Sequence, residues 1–387
     1  LGGVIYLGFL ALMAGFALVN AVFLRRLTDY ARAPLPPNPP RVSVLVPARN
    51  EESNLERLIL SLLAQDYTNL EIIVLDDHST DRTPEIIGVL AAKDSRIRVL
   101  EGSELPAEWL GKNWACHQLA RAATGEVLVF TDADTIWQPD GVRLIVQAMT
   151  RTRADALSAW PEHPTTGWFS SVVQPVQQWS LLAFLPIFLV PVRAFPVAVA
   201  AIGQLIAFRR AAYDAVGGHE AVRGSVIEDM ALARNIKRAG LRFQLMNAVG
   251  TVSCAMYSDT REVWDGFAKN VYPGAGATPI SMIGLIVVVW LVALVPWAWL
   301  ILGLVRGSRL LEPLLAVALS LIPRALSDWR YGYRAGLWPL QPLSILSWTA
   351  IALESWRRYA TGNVIWKGRH YDLRSTKNTV QDEVSAR

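Results

Sequence analysis

The sequence predicts an α/β fold: a mostly parallel sheet flanked by helices, with transmembrane or interfacial helices towards both ends. Three observations predict it. From Arg41 to about Trp160, β-branched apolar runs alternate with amphipathic helix-like runs, the pattern of a doubly wound sheet. Long apolar runs lie on either side of that stretch. A proline cluster, Ala33-Pro-Leu-Pro-Pro-Asn-Pro-Pro40, separates the first apolar run from it.

The elements follow in order. Gly3–Leu24 is apolar and, at roughly 20 residues, long enough to span a bilayer. Arg25, Arg26 and Arg32 follow it directly, so the positive-inside rule sends the chain onward into the cytosol. No small-residue cleavage site follows the run, which therefore reads as an anchor rather than a leader. The proline cluster reads as a stiff, extended linker. Beyond it Val42–Pro47, Glu71–Leu75, Ile97–Leu100, Val127–Thr131 and Asp155–Trp160 read as strands. Glu51–Gln65, Pro84–Lys93, Asn113–Ala123 and Pro139–Thr150 read as helices. Val172–Phe208 is apolar but broken by Pro175, Pro186, Pro191 and Pro196, so it reads as an interfacial or cleft-lining segment, or as buried core. A second α/β-like stretch runs from about Gly203 to Tyr257. Ile280–Val305 is a spanning candidate, Leu311–Leu326 a shorter one, and Leu337–Trp356 a third. If all three crossed, the basic tail (Arg357, Arg358, Lys367, Arg369) would lie outside, so the third is expected to be re-entrant or interfacial.

Composition agrees. Hydrophobic residues make up 52% of 387, and 15 tryptophans cluster near the apolar runs, as indole rings do at membrane interfaces. The formal net charge is only +4, which gives no basic footprint for nucleic acid. Two cysteines, Cys116 and Cys254, make neither a disulfide framework nor a zinc spacing.

Ligands of open α/β sheets bind at the carboxyl ends of the strands, and acidic residues gather at those ends here. Pro47-Ala48-Arg49-Asn50-Glu51-Glu52 closes the first strand; it could border a ligand, or simply let Asn50 cap the next helix. Asp76-Asp77-His78-Ser79-Thr80-Asp81 closes the second, either to accept hydrogen bonds from a base or ribose, or as a solvated turn. Thr131-Asp132-Ala133-Asp134 follows the very apolar Val127–Phe130. Two carboxylates so spaced can converge on one hard cation that keeps positions open for diphosphate oxygens. Glu228-Asp229 precedes the helix-like Ala231–Ala239, which Gly240 ends; the pair could cap that helix or supply a general base. The five histidines form no metal-binding spacing, though His219, after Gly217-Gly218, could approach an acceptor.

In this order and spacing the four segments resemble family-2 glycosyltransferases of the GT-A fold, over roughly residues 41 to 257. Gly111-Lys112-Asn113-Trp114-Ala115, Gly203-Gln204, Phe208-Arg209-Arg210 and Gly217-Gly218 add to the likeness. The anchor-plus-tail layout, with Trp366-Lys367-Gly368-Arg369-His370-Tyr371, is similar to a membrane subgroup that includes ceramide glucosyltransferases and bacterial carotenoid- and hopanoid-associated glycosyltransferases.

The resemblance implies an inverting, non-processive, metal-dependent hexosyltransferase. It would move a sugar, glucose-type, from a UDP-sugar to the hydroxyl or carboxyl of a lipid acceptor (carotenoid, hopanoid, sphingolipid or glycerolipid). Pro47, Ala48, Arg49, Glu51, Asp77, Lys112, Asp132 and Ala133 would bind the donor. Asp134 and Asp132 would hold Mg²⁺ or Mn²⁺. Asp229 would be the base, with Glu228 its neighbour. The partners would be the nucleotide sugar, the lipid and the membrane, with no nucleic acid. Processive relatives carry Gln-x-x-Arg-Trp where this chain reads Trp264-Asp265-Gly266-Phe267-Ala268-Lys269-Asn270, so a polysaccharide synthase is the weaker alternative. Another is a membrane scaffold or transporter with a degenerate nucleotide-binding domain, against which the intact acidic set argues. The expected plan is a transmembrane anchor at 1–26, a linker at 27–40, a cytosolic catalytic domain at 41–279 with its interfacial segment at 172–208, membrane or re-entrant helices at 280–357 and a cytosolic basic tail at 358–387. The enzyme would be multi-pass in the cell membrane, its catalytic domain facing the cytoplasm.

Overall fold

The computed structural model describes residues 2–257, 259–362, 364–366 and 369–371. Lys367, Gly368 and the tail from 372 onward, which carry part of the expected closing motif and basic tail, lie outside the described residues. The chain divides into two compact units. One collects Leu24–Pro164 and Phe188–Met256; the other collects Leu1–Phe23, Thr165–Ile187 and the described part of Tyr257–Arg387.

The first unit is the α/β body. Its strands are β1 (Val42–Ala48), β2 (Leu70–Asp76), β3 (Ile97–Glu101), β4 (Val127–Phe130), β5 (Thr135–Trp137), β6 (Ala156–Trp160), β7 (Ile206–Arg209), β8 (Phe243–Asn247) and β9 (Val252–Cys254). Seven of them form one sheet in the order β3-β2-β1-β4-β7-β6-β8. All neighbours pair parallel except β7, which runs antiparallel to both β4 and β6. The short β5 and β9 pair apart from it. The central strands are nearly continuous apolar runs, as burial on both faces requires: Val42, Val44, Leu45 and Val46 of β1 are fully buried. The Leu55–Leu63 helix turns Leu55, Leu58, Ile59 and Leu62 into the core, a stripe at helical spacing. Gly141–Thr152 does the same with Val142, Ile145, Val146 and Met149.

One buried charge stitches the sheet. Glu71 on β2 accepts hydrogen bonds from the Ser43 hydroxyl and from Thr124 (N, 2.7 Å; Oγ1, 2.8 Å). Burial favours its neutral form, but these donors and Arg41 outweigh burial and bring its pKa down to about 2. The proline-rich stretch lies against this unit: Tyr67 donates to Pro40 O at 2.6 Å and Asn69 to Pro39 O at 3.1 Å.

The second unit is helical. Gly2–Phe23 is the one helix among the described residues that is long and apolar enough to cross a membrane. Near its end, buried Asn20 donates to Leu182 O and Leu185 O and accepts from Ile187 N, fixing the helix to the 165–187 segment. The expected Ile280–Val305 span is two helices, Pro279–Ala293 and Val295–Arg306. Pro296 has no N–H to give to Val292, so the ladder breaks there. Thr260–Gly274 and Pro279–Ala293 meet at 111° and could together count as one broken span. Leu311–Tyr331 runs through Pro323, and carries a buried Arg324–Asp328 pair at 2.9 Å. Gln341–Thr361 is a single unbroken helix.

Candidate active site

The parallel register puts the ends of β1, β2 and β4 at one edge, with Ala48 opposite Asp76 and Leu45 opposite Phe130. Each loop beyond those ends carries one of the acidic segments. The loops after β1 and β2 are laced together. Arg49 Nη1 donates to Asp77 O at 2.6 Å, Asp77 N to Ala48 O at 2.8 Å, and Thr80 N to Asn50 Oδ1 at 2.8 Å. Glu51 N donates to Thr83 Oγ1 at 2.8 Å. Asn50 adopts φ 53° to make this turn, a conformation that asparagine tolerates better than most residues. Asp77 is buried.

Lys112, on the Gly111–Ala122 helix, reaches across to the β4 end. Its ammonium lies 2.8 Å from Asp132 Oδ1 and 3.1 Å from Glu228 Oε1. Glu228 and Asp229 begin the Glu228–Arg238 helix, three residues earlier than the sequence pattern suggested. Two acids in a first turn suit the positive end of a helix dipole, and Asp229 Oδ1 accepts from Met230 N at 2.7 Å. Gly203 packs against the ion pair: a Cβ there would lie 2.9 Å from Lys112 Nζ and 3.3 Å from Glu228 Oε1. One cavity is lined by Pro47, Lys112, Cys116, Phe130, Thr131, Asp132, Gly203, Ile206, His219, Glu228 and Asp229.

The electrostatics follow from crowding. Burial pushes the Asp229 carboxyl up to about 7, with Glu228 adding to the shift and Lys112 opposing it. Asp134 is also raised to about 7, by burial first and then by the neighbouring Asp132 and Glu51 charges. Burial works against the Lys112 ammonium, but Asp132 and Glu228 more than offset this and hold it well above the ordinary lysine value. A carboxyl near neutrality in a cavity is suited to proton transfer.

The structure therefore brings Pro47, Lys112, Asp132, Glu228 and Asp229 to one cavity, with Asp134, Glu51, Asp77 and Arg49 at the adjoining strand ends. The Ala48 and Ala133 methyls belong to the hydrophobic core, which leaves those residues their backbone groups for any ligand. Two contacts were not readable from the sequence, although Gly203-Gln204 belongs to the family likeness. Cys254, on β9, hydrogen-bonds Asp134, and Gln204 bridges the site's floor through Thr131 Oγ1–Gln204 O at 2.9 Å and His163 Nε2–Gln204 Oε1 at 2.7 Å.

A divalent ion fits these residues in one particular way. Among the described residues no three or more His, Cys, Asp or Glu side chains converge on a metal position. Yet Asp134 Oδ1 is buried with no hydrogen-bond partner, close enough to Asp132 and Glu51 for their charges to raise its pKa. Such a set suits a magnesium-type ion held by one or two carboxylates and completed by phosphate oxygens rather than by a protein cage.

Comparison with known proteins gives concordant findings. Residues 43–217 match the model of glycosyl transferase family 2. The chain is similar to a 4,4'-diaponeurosporenoate glycosyltransferase of Staphylococcus haemolyticus, 27% identical over 73% of this chain and 74% of that protein. It is 26% identical to the enzyme of the same name from Staphylococcus aureus, over 86% and 88% respectively. In fold it resembles a mannosyltransferase from Pyrobaculum calidifontis solved with GDP-Man and Mn²⁺, with a TM-score of 0.51, 21% identity, and coverage of 92% of this chain and 99% of that one.

Proposed function

We propose that this chain, whose residues 43–217 match the model of glycosyl transferase family 2 and whose fold resembles that of a solved mannosyltransferase, moves a hexose from a UDP-sugar to a lipid acceptor in one inverting, non-processive step. The observation that carries this reading is the Lys112 bridge between Asp132 and Glu228, beside Asp229, in a single cavity.

The chemistry can be written through these side chains. The acceptor oxygen attacks the anomeric carbon as the bond to the diphosphate oxygen breaks, and the electron pair leaves with the nucleoside diphosphate. Lys112, the cation that lines this cavity, meets that negative charge by exchanging its carboxylate partners for phosphate on donor binding. Asp229 takes the proton of a hydroxyl acceptor; a carboxylate acceptor attacks without giving one up. Arg49 and Asp77 frame the nucleotide end, and Asp134 with Asp132 would hold the divalent ion. When bound, that ion supplies Lewis-acid neutralisation of the leaving diphosphate.

The acceptor class rests on the relatives, whose name denotes a carotenoid-type carboxylate, and on the apolar helical unit. The Gly2–Phe23 helix, followed by Arg25, Arg26 and Arg32, anchors the α/β unit on the cytoplasmic side. Purified protein incubated with UDP-hexoses, Mn²⁺ and a bacterial lipid extract should yield UDP and a lipid heavier by one hexose in mass spectrometry. Nucleotide binding without turnover would instead favour a scaffold with a degenerate domain. Asp134→Ala should lose about a hundredfold of the rate together with its response to added Mn²⁺.

A further inference from the structure

His219 lines the catalytic cavity and has no part in the steps above. Its placement is built. Gly217 and Gly218 both adopt positive φ, 75° and 51°, where side chains are strained. A Cβ at Gly218 would also sit 2.4 Å from the Tyr213 ring. The glycine pair thus lets the turn close over Tyr213 and aim His219 inward. The other face is covered by Phe130, 4.7 Å between ring centroids.

Tyr213 decides which ring nitrogen carries the proton. Its hydroxyl accepts from His219 N at 3.0 Å and lies 2.8 Å from His219 Nδ1. The hydroxyl has one proton, and among the described residues Nδ1 is the acceptor it meets. Were Nδ1 protonated instead, a buried hydroxyl would be left without an acceptor. The imidazole is therefore an Nε2–H tautomer. Burial, with Lys112 and His117 adding to it, lowers its pKa to about 3, so the ring stays neutral. Among the described residues no acceptor meets Nε2.

We propose that His219 is a specificity-determining contact of the transfer site, its Nε2–H donating to an uncharged hydroxyl of the transferred sugar. This rests on the glycosyl-transfer reading. An uncharged donor suits a hydroxyl, whereas phosphate draws a cation, and Lys112 supplies one at the same cavity. Beside His219 the cavity presents Lys112, Asp132, Glu228 and Asp229 together with Pro47 and Ile206, a mixed lining that suits a sugar's hydroxyls and its ring face. Tyr213 is a positioning residue that holds the tautomer.

The test compares the full-length wild type with His219→Phe, His219→Gln and Tyr213→Phe. Donors are UDP-glucose, or whichever UDP-hexose the wild type uses, and its monodeoxy analogues. His219→Phe should lower kcat/KM about tenfold with the parent donor, yet cost nothing more with the one analogue that lacks the contacted hydroxyl. His219→Gln, which keeps an N–H, should recover part of the loss, and Tyr213→Phe should show a smaller loss with the same donor dependence. Affinity for UDP, which has no sugar, should be unchanged in His219→Phe, and this also reports that the variant is folded. An equal loss with every donor, no loss at all, or weakened UDP binding overturns the proposal. A wild type that transfers from no UDP-hexose would overturn the functional reading itself, whereas normal wild-type transfer with any of the former results overturns the role of His219 alone.

Discussion

The two units of this molecule treat apolar surface in opposite ways. In the α/β unit, the interior residues of β1, β2 and β4 are buried to the last few per cent, and the buried charge of Glu71 has a full set of donors. In the helical unit, Leu12, Ile280 and Val305 are 71%, 85% and 79% exposed, while the charged Arg324 and Asp328 are buried against each other. A water-soluble body hides its leucines and shows its charges. The helical unit leaves large apolar side chains at its surface and buries an ion pair, the pattern that the proposed membrane location requires. Under the proposed function this is a division of labour, with chemistry in the α/β unit and location in the helical unit, whose own core is a small cluster around Trp179, Val292 and Ile345.

The sharpest way to break this division is Asp229→Asn. Removing the base should lower transfer to a hydroxyl acceptor by about 10² to 10⁴ and leave the share of protein in the membrane fraction untouched. If transfer falls less than tenfold, the acceptor is a carboxylate that needs no base. The converse change is Leu12→Arg. A charge in the middle of the Gly2–Phe23 helix costs about 2.5–3.5 kcal/mol of insertion, so carbonate extraction should release the variant while hydrolysis of the donor continues. Loss of both would couple the two units more tightly than the division allows. Gly203→Ala is milder. The new methyl would crowd the Lys112 ammonium, which can shift at the end of a flexible chain, and about a tenfold drop in kcat/KM is expected with unaltered fractionation.

The smallest effect concerns stability. The folded Asp229 carboxyl is raised from its ordinary 3.8 to about 7. The native state therefore binds the extra proton between those values, and stability falls as pH rises through that window. Asp229→Asn should melt a few degrees higher than wild type at pH 8 in chelator, with no difference near pH 4. Transfer to a hydroxyl acceptor should run the other way, rising towards a plateau as pH climbs past about 7, because the base must be ionised to work.

Much of the α/β unit was legible because its signals are local. A run such as Val127–Phe130 between polar turns reads as a buried strand by composition alone, and the acidic segments stand out at the ends of such runs. The antiparallel direction of β7 was not legible, since Ile206–Arg209 is a short apolar run whose pattern is the same in either sense. Nor were β5 and β9, three residues each, too short for any period to show. The helix of Glu228 and Asp229 starts earlier than its apolar spacing, because polar first-turn residues carry no hydrophobic phase.

By itself, then, the order of apolar and polar residues determined the layering of the α/β unit, the apolar character of the first helix, and which residue types stand at the strand ends. These depend on neighbours within a turn or a strand length. Only the tertiary structure decided that Lys112 lies between Asp132 and Glu228, that Cys254 meets Asp134, and that Tyr213 sets the tautomer of His219. Those contacts join residues from separate elements, and their energies depend on distance, burial and orientation in space, which one-dimensional spacing does not contain.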